Sequence, residues 1–191
     1  MSTPAEHLSP SPDDPAEALA RHLRGKYRAR ITGELVIPAR AGRYAALPSD
    51  LDARLARALQ TRGVQRLYTH QARAWETVRG GKHTVIVTPT ASGKTLCYNL
   101  PVLQAALQAK AKALYMFPTK ALAQDQVAEL MALNEAGELG VRAFTFDGDT
   151  PGDARKAVRT RGDIVVTNPD MLHQGILPHH TKWAQFFESL R

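Results

Sequence analysis

Thr88-Pro89-Thr90-Ala91-Ser92-Gly93-Lys94-Thr95 ends on a glycine, a lysine and a threonine in succession. The stretch follows an apolar, β-branched run, Thr84 to Val87, and precedes leucines at helical spacing, Leu96, Leu100, Leu103 and Leu107. A bend joining strand to helix points backbone N–H groups and the positive end of the helix dipole at its occupant, and phosphate suits both. In that setting Lys94 reaches the β- and γ-phosphates of a nucleotide and the Thr95 hydroxyl ligates Mg²⁺. The strict phosphate-loop pattern, G-x-x-x-x-G-K-[ST], has a glycine where this chain has Thr88. Only Gly93 remains of the pair, so the flanking strand and helix carry the assignment. The structural alternative is a solvated turn capped by Ser92, with Lys94 merely exposed.

Elements able to hold such a loop recur along the chain. Apolar, β-rich runs occur at Val85 to Val87, Ala113 to Phe117, Val141 to Phe146 and Ile164 to Val166. Helical patterns fill the gaps, at Leu96 to Gln108, Ala121 to Leu133 and Asp153 to Arg159. Near-continuous apolar strands alternating with helices predict an α/β fold, a parallel sheet covered on both faces. Ligands gather at the carboxyl ends of such strands, and each motif falls on one of those ends. Upstream, Leu51, Leu55 and Leu59 mark a short helix that stops near Gly63. Pro101 falls inside the helix after the loop, where it removes one hydrogen bond.

The 191 residues carry a formal net charge of +7, a bias toward polyanionic partners such as nucleic acid. Between Arg21 and Arg30 five basic residues occur with no acid, which reads equally as a nucleic-acid-contacting arm or a solvated helix face. Cys97 is the single cysteine, which excludes an internal disulfide and fits a reducing compartment. No apolar run reaches the length of a membrane span. Met1 to Pro15 is rich in Pro, Ser and Asp without the apolar segment of a signal peptide, so a disordered tail and a cytoplasmic location are expected.

Further segments matter through their order. Leu67-Tyr68-Thr69-His70-Gln71 precedes a helix running to about Arg79, and a glutamine amide can read adenine with a paired donor and acceptor. Phe117-Pro118-Thr119-Lys120-Ala121-Leu122 leaves a strand and enters a helix, where Thr119, Lys120 and backbone N–H groups could hold a nucleic-acid phosphate. Read alone, Thr119 is a good N-cap. Phe146-Asp147-Gly148-Asp149-Thr150 offers an acidic pair, read as a turn in preference to a divalent-metal site. Val166-Thr167-Asn168-Pro169-Asp170 again places hydroxyl, amide and N–H donors at a strand end. His173, His179 and His180 have no cysteine partner for zinc. Trp75 and Trp183 are able to stack on bases, with helix packing preferred for Trp75.

This succession resembles the first motor domain of a superfamily 2 helicase. Gln71 lies in a segment similar to the adenine-reading Q-type motif. Thr88 to Thr95 resembles motif I, A-x-T-G-S-G-K-T, with Thr88 and Ala91 as departures. Pro118 to Leu122 is similar to motif Ia, Asp147 to Asp149 to the Gly-Asp motif, and Thr167 to Leu172 to motif Ib. The wording T-P-T-A-S-G-K-T-L-C-Y-N-L-P, F-P-T-K-A-L-A-Q-D-Q and the upstream I-P-A-R resembles the bacterial YprA/MrfA-like branch of DEAD/DEAH-box helicases, DNA-directed repair motors. The resemblance implies a RecA-like sheet, ATP, Mg²⁺ and a nucleic-acid track, DNA ahead of RNA. It implies that Gln71 recognises adenine with Tyr68 nearby, and that Thr88, Pro89, Thr90, Ala91, Ser92 and Gly93 form the loop around the phosphates. Lys94 and Thr95 would serve phosphates and Mg²⁺; Pro118, Thr119, Lys120, Thr167 and Asn168 would face the strand.

Hydrolysis also needs a carboxylate on Mg²⁺ and another to orient water, which helicases carry in a D-E-x-[HD] motif. No such motif occurs here. The expected organisation is a tail over residues 1–20, an extension over 21–62 and an ATP-binding domain over 63–191, cut before that motif. The chain then reads as part of a longer enzyme, inactive by itself, with unpaired backbone and exposed apolar surface beside the phosphate-loop strand. A non-catalytic nucleic-acid-binding or regulatory module is the competing class. A small-molecule kinase has no use for residues 118–126 and 167–172.

Overall fold

The computed structural model describes residues 14–35, 37 and 41–191. It divides into two units, residues 1–43 and 44–191. In the first, Asp14 caps α1 (Pro15–Lys26) by accepting from the Ala16 N–H at 2.9 Å, with Pro15 at the first helical position. The expected tail lies outside the described residues as far as residue 13, and from Pro15 the chain is helical. Arg24, within the basic segment, is ion-paired with Glu17 at 3.0 Å and with Glu34. Of the I-P-A-R wording, Pro38 to Arg40 lies outside the described residues.

The second unit holds the sheet. A short antiparallel pair opens it, β1 (Tyr44–Ala45) against β2 (Leu67–Tyr68). Between them Asp52 caps α2 (Ala53–Thr61), which buries Leu55, Ala58 and Leu59. Then follow α3 (Thr69–Arg79), α4 (Lys94–Ala109), β3 (Ala113–Met116), α5 (Lys120–Ala136), β4 (Ala143–Thr145), α6 (Gly152–Arg161) and β5 (Ile164–Thr167). Beyond β5 come α7 (Pro169–Met171), a π-helical turn, a 3-10 segment (Leu177–Trp183) and α8 (Ala184–Glu188). The strand order is β3-β5-β4, with both pairings parallel.

Alternation along β5 builds the two faces. Ile164 and Val166 enter a core with Leu55, Leu59, Trp75, Leu100 and Leu103. Val165 points the other way, into a core of Phe146, Val158, Ile176, Trp183 and Phe186. All four residues of β5 are buried, as a central parallel strand requires. Gln104, fully buried, accepts from the Asp52 N–H at 2.9 Å and donates to the Asp50 carbonyl at 2.8 Å, tying α4 to the start of α2.

Two expectations are corrected. Thr84 to Val87, read as the strand before the phosphate loop, joins no strand ladder among the described residues, and Val85 and Val87 are 89% and 90% exposed. A β-branched run becomes a strand only when a neighbour takes its N–H and C=O groups. The outer edge of β3 is instead met at Lys112 by Leu190, in a parallel bridge where the Lys112 N–H donates to the Ser189 carbonyl at 2.8 Å. Trp183 is no free base-stacking platform: it is 1% exposed, with Phe146 edge-on at 4.9 Å and Phe186 at 5.6 Å. Trp75 packs in the other core, as expected. His173, His179 and His180 are exposed, and no group of three or more metal-ligating side chains occurs among the described residues.

Candidate nucleotide and nucleic-acid site

The loop from Thr88 to Gly93 closes on itself. Ala91 and Gly93 both take left-handed backbone angles, φ +60° and +73°. For Ala91 this costs about 1–2 kcal/mol, the penalty that a glycine there would avoid. Lys94 begins α4, and its ammonium donates to the carbonyls of Thr88 at 2.9 Å and Pro89 at 2.7 Å. The Thr88 and Ser92 hydroxyls are hydrogen-bonded at 2.6 Å. An arriving phosphate therefore finds the lysine occupied and must replace two carbonyl acceptors. At the same turn of α4, Thr95 donates toward Gln126 at 3.4 Å.

Gln71 holds this loop from α3. Its Oε1 accepts from the Tyr68 N–H at 2.8 Å and closes the start of the helix, while its Nε2 donates to the Gly93 carbonyl at 2.8 Å. One amide N–H and one lone pair remain, on a side chain that is only 3% exposed. The approach is close enough to exclude a side chain at Gly93, whose Cβ would stand 2.7 Å from Gln71 Nε2. Glycine is thus required twice, by φ and by space. Gly93→Ala should cost about 1–3 kcal/mol in a urea melt, and a Gln71→Ala background should return part of it. Equal costs in both backgrounds would remove the steric part of this account.

An open cavity of about 460 Å³ adjoins the loop, lined by Tyr44, Arg66, Tyr68, Gln71, Gly93 and Leu96 among others. Tyr68 stacks on Tyr44 at 4.9 Å, and the Arg66 guanidinium lies 4.8 Å over the Tyr44 ring. Sequence reasoning missed Tyr44 and Arg66. A two-residue strand has no periodicity to announce it, and only the Tyr44–Tyr68 pairing brings them beside Gln71.

The second group gathers where β3 and β5 end side by side. Met116 pairs with Thr167, so Pro118 and Asn168 leave the sheet at the same edge. Thr119 caps α5, accepting from the Leu122 N–H at 3.3 Å. Lys120 bonds to Asp149 at 2.5 Å, an ion pair that raises the lysine pKa. Asp149 stands on the expected turn, whose Asp147 carboxylate accepts from the Asp149 N–H at 2.9 Å. Thr167 departs from expectation. It is 2% exposed and its hydroxyl donates inward to the Phe146 carbonyl at 2.7 Å, so it offers nothing to a strand at the surface. Asn168 is half-buried and caps α7, accepting from the Met171 N–H at 2.8 Å.

Comparison with known proteins covers the same stretch of the chain. The DEAD/DEAH box helicase profile matches residues 68–191, from Tyr68 onward through both groups. "Uncharacterized ATP-dependent helicase YprA" of Bacillus subtilis (strain 168) is 55% identical over 146 residues, 76% of this chain and 20% of its own. "ATP-dependent helicase hrq1" of Schizosaccharomyces pombe is 41% identical over 171 residues, 86% of this chain and 16% of its own. A crystal structure of the DUF1998 helicase MrfA bound to DNA and AMPPNP superposes with a TM-score of 0.82 at 48% identity, over 90% of this chain and 24% of that one. The chain thus spans about a fifth of the length of the YprA relative. With the profile covering residues 68–191 and the YprA relative 55% identical, the chain belongs to the DEAD/DEAH box helicase family.

Proposed function

We propose that this chain is the nucleotide- and strand-gripping part of an ATP-dependent DNA helicase acting in DNA repair in the cytoplasm. The observation that carries the reading is the pairing of Lys94 and Thr95 at the first turn of α4 with Gln71 bonded to Gly93. Gln71 and Tyr68 take the adenine edge. Backbone groups of Thr88, Pro89, Thr90, Ala91, Ser92 and Gly93 surround the phosphates, and Lys94 exchanges its two carbonyls for β- and γ-oxygens. Among the described residues no helix is long and apolar enough to cross a membrane.

Mg²⁺ keeps several waters and is held by one or two carboxylates alongside substrate phosphates; toward such a shell these residues would supply the Thr95 hydroxyl. When bound, the ion would neutralise phosphate charge. Pro118, Thr119, Lys120 and Asn168 face the strand, with Thr167 supporting from beneath. That MrfA has been seen with DNA and AMPPNP supports DNA and ATP as the pair.

The test is equilibrium binding. A fluorescent ATP analogue should bind saturably and be displaced by ATP. Labelled single-stranded DNA should bind more weakly as salt rises, each neutralised phosphate adding about −0.7 to the logarithmic slope. Salt-independent affinity would remove the backbone-contact reading, and absent analogue binding would remove the nucleotide reading.

A further inference from the structure

A run of side chains leads from Thr95 of the nucleotide site toward the strand-facing segment. Thr95 and Tyr98 lie three residues apart in α4 and so on one face of it. Opposite them on α5 stands Gln126, half-buried like both. The Thr95 hydroxyl donates to Gln126 Oε1 at 3.4 Å, and the Tyr98 hydroxyl donates to the same oxygen. A carbonyl oxygen has two lone pairs, so one amide accepts both protons. The Tyr98 ring meets Tyr115 edge-on at 5.4 Å, and Tyr115 meets Phe117 at 6.2 Å, immediately before Pro118. Contacts therefore extend unbroken from the phosphate loop to the strand-facing segment.

We infer that Gln126 is a positioning residue: it accepts the Thr95 hydroxyl hydrogen bond, turns that oxygen's lone pairs toward the phosphate side, and links their use to α5. This rests on the reading of Thr95 as the hydroxyl that serves Mg²⁺. A hydroxyl that gives a lone pair to a cation becomes a stronger donor through its own O–H. The 3.4 Å separation is longer than the ordinary 2.5–3.0 Å of an O–H···O bond, which leaves room to shorten. Coordination at Thr95 would strengthen this contact with α5, the helix whose start carries Thr119 and Lys120. By linkage, a strand that holds α5 in the closer position favours the coordinating state of Thr95.

The test compares the parent protein with Gln126→Leu and Gln126→Glu, measuring the affinity of a fluorescent ATP analogue in excess Mg²⁺ and in EDTA. Leucine removes the acceptor, whereas glutamate keeps a carboxyl oxygen in its place. In Gln126→Leu the tightening that Mg²⁺ produces should shrink about fivefold, while affinity in EDTA stays within about twofold. Gln126→Glu should recover the tightening. An unchanged Mg²⁺ effect in Gln126→Leu overturns the inference. So do equal losses with and without Mg²⁺, the mark of general packing damage. No analogue binding by the parent protein removes the nucleotide reading and this inference together.

Discussion

On the proposed function, Lys94→Ala should reduce ATP turnover by a factor on the order of 10²–10³ or more. Two effects combine. On the proposed reading the ammonium follows charge onto the γ-phosphate, and such donors matter most in the transition state. It also bridges the Thr88 and Pro89 carbonyls, so alanine leaves both acceptors to solvent and loosens the loop. Single-strand binding should persist within about twofold, because its groups sit at the ends of β3 and β5 and single phosphate contacts are individually modest. Steady-state ATP hydrolysis and DNA anisotropy on the same preparation check both halves. Unchanged turnover would end the assignment of the loop.

Trp183→Ala should destabilise the second unit by about 3–5 kcal/mol, among the largest costs open to a single truncation here. Its indole is 1% exposed and meets Phe146 and Phe186 edge-on, so alanine leaves a ring-sized void under one face of the sheet. A lowered urea midpoint with unchanged slope is the expected signature. Strand affinity below the unfolding transition should stay at the parent value. A variant with parent stability and lost DNA binding would return Trp183 to the role of a base-stacking platform.

The order of elements was legible because near-continuous apolar runs separated by helical spacing admit few alternatives to a parallel sheet. β3, β4 and β5 each fall within or one residue beyond the runs that announced them. Thr84 to Val87 carries the same local signal yet forms no ladder, since pairing depends on a neighbour that composition cannot supply. Thr167 shows a signal present but unread. It shares parity with Val165, whose face is occupied by Phe146, and on a strand buried on both faces its hydroxyl meets the Phe146 carbonyl. Tyr44 and Arg66 had no such signal, being placed by one residue pair of a two-residue strand. Gln126 was equally hidden, because its importance lies in a partner 31 positions away.

On the proposed reading, the amide of Gln71 joins recognition of the base to seating of the phosphates. One edge of that amide holds the carbonyl of Gly93 and another holds the N–H of Tyr68, so neither can shift alone. On that reading a base that mismatches the amide would also disturb Gly93, next to the lysine, and a wrong nucleotide would be disfavoured at its base and at its triphosphate tail for one error.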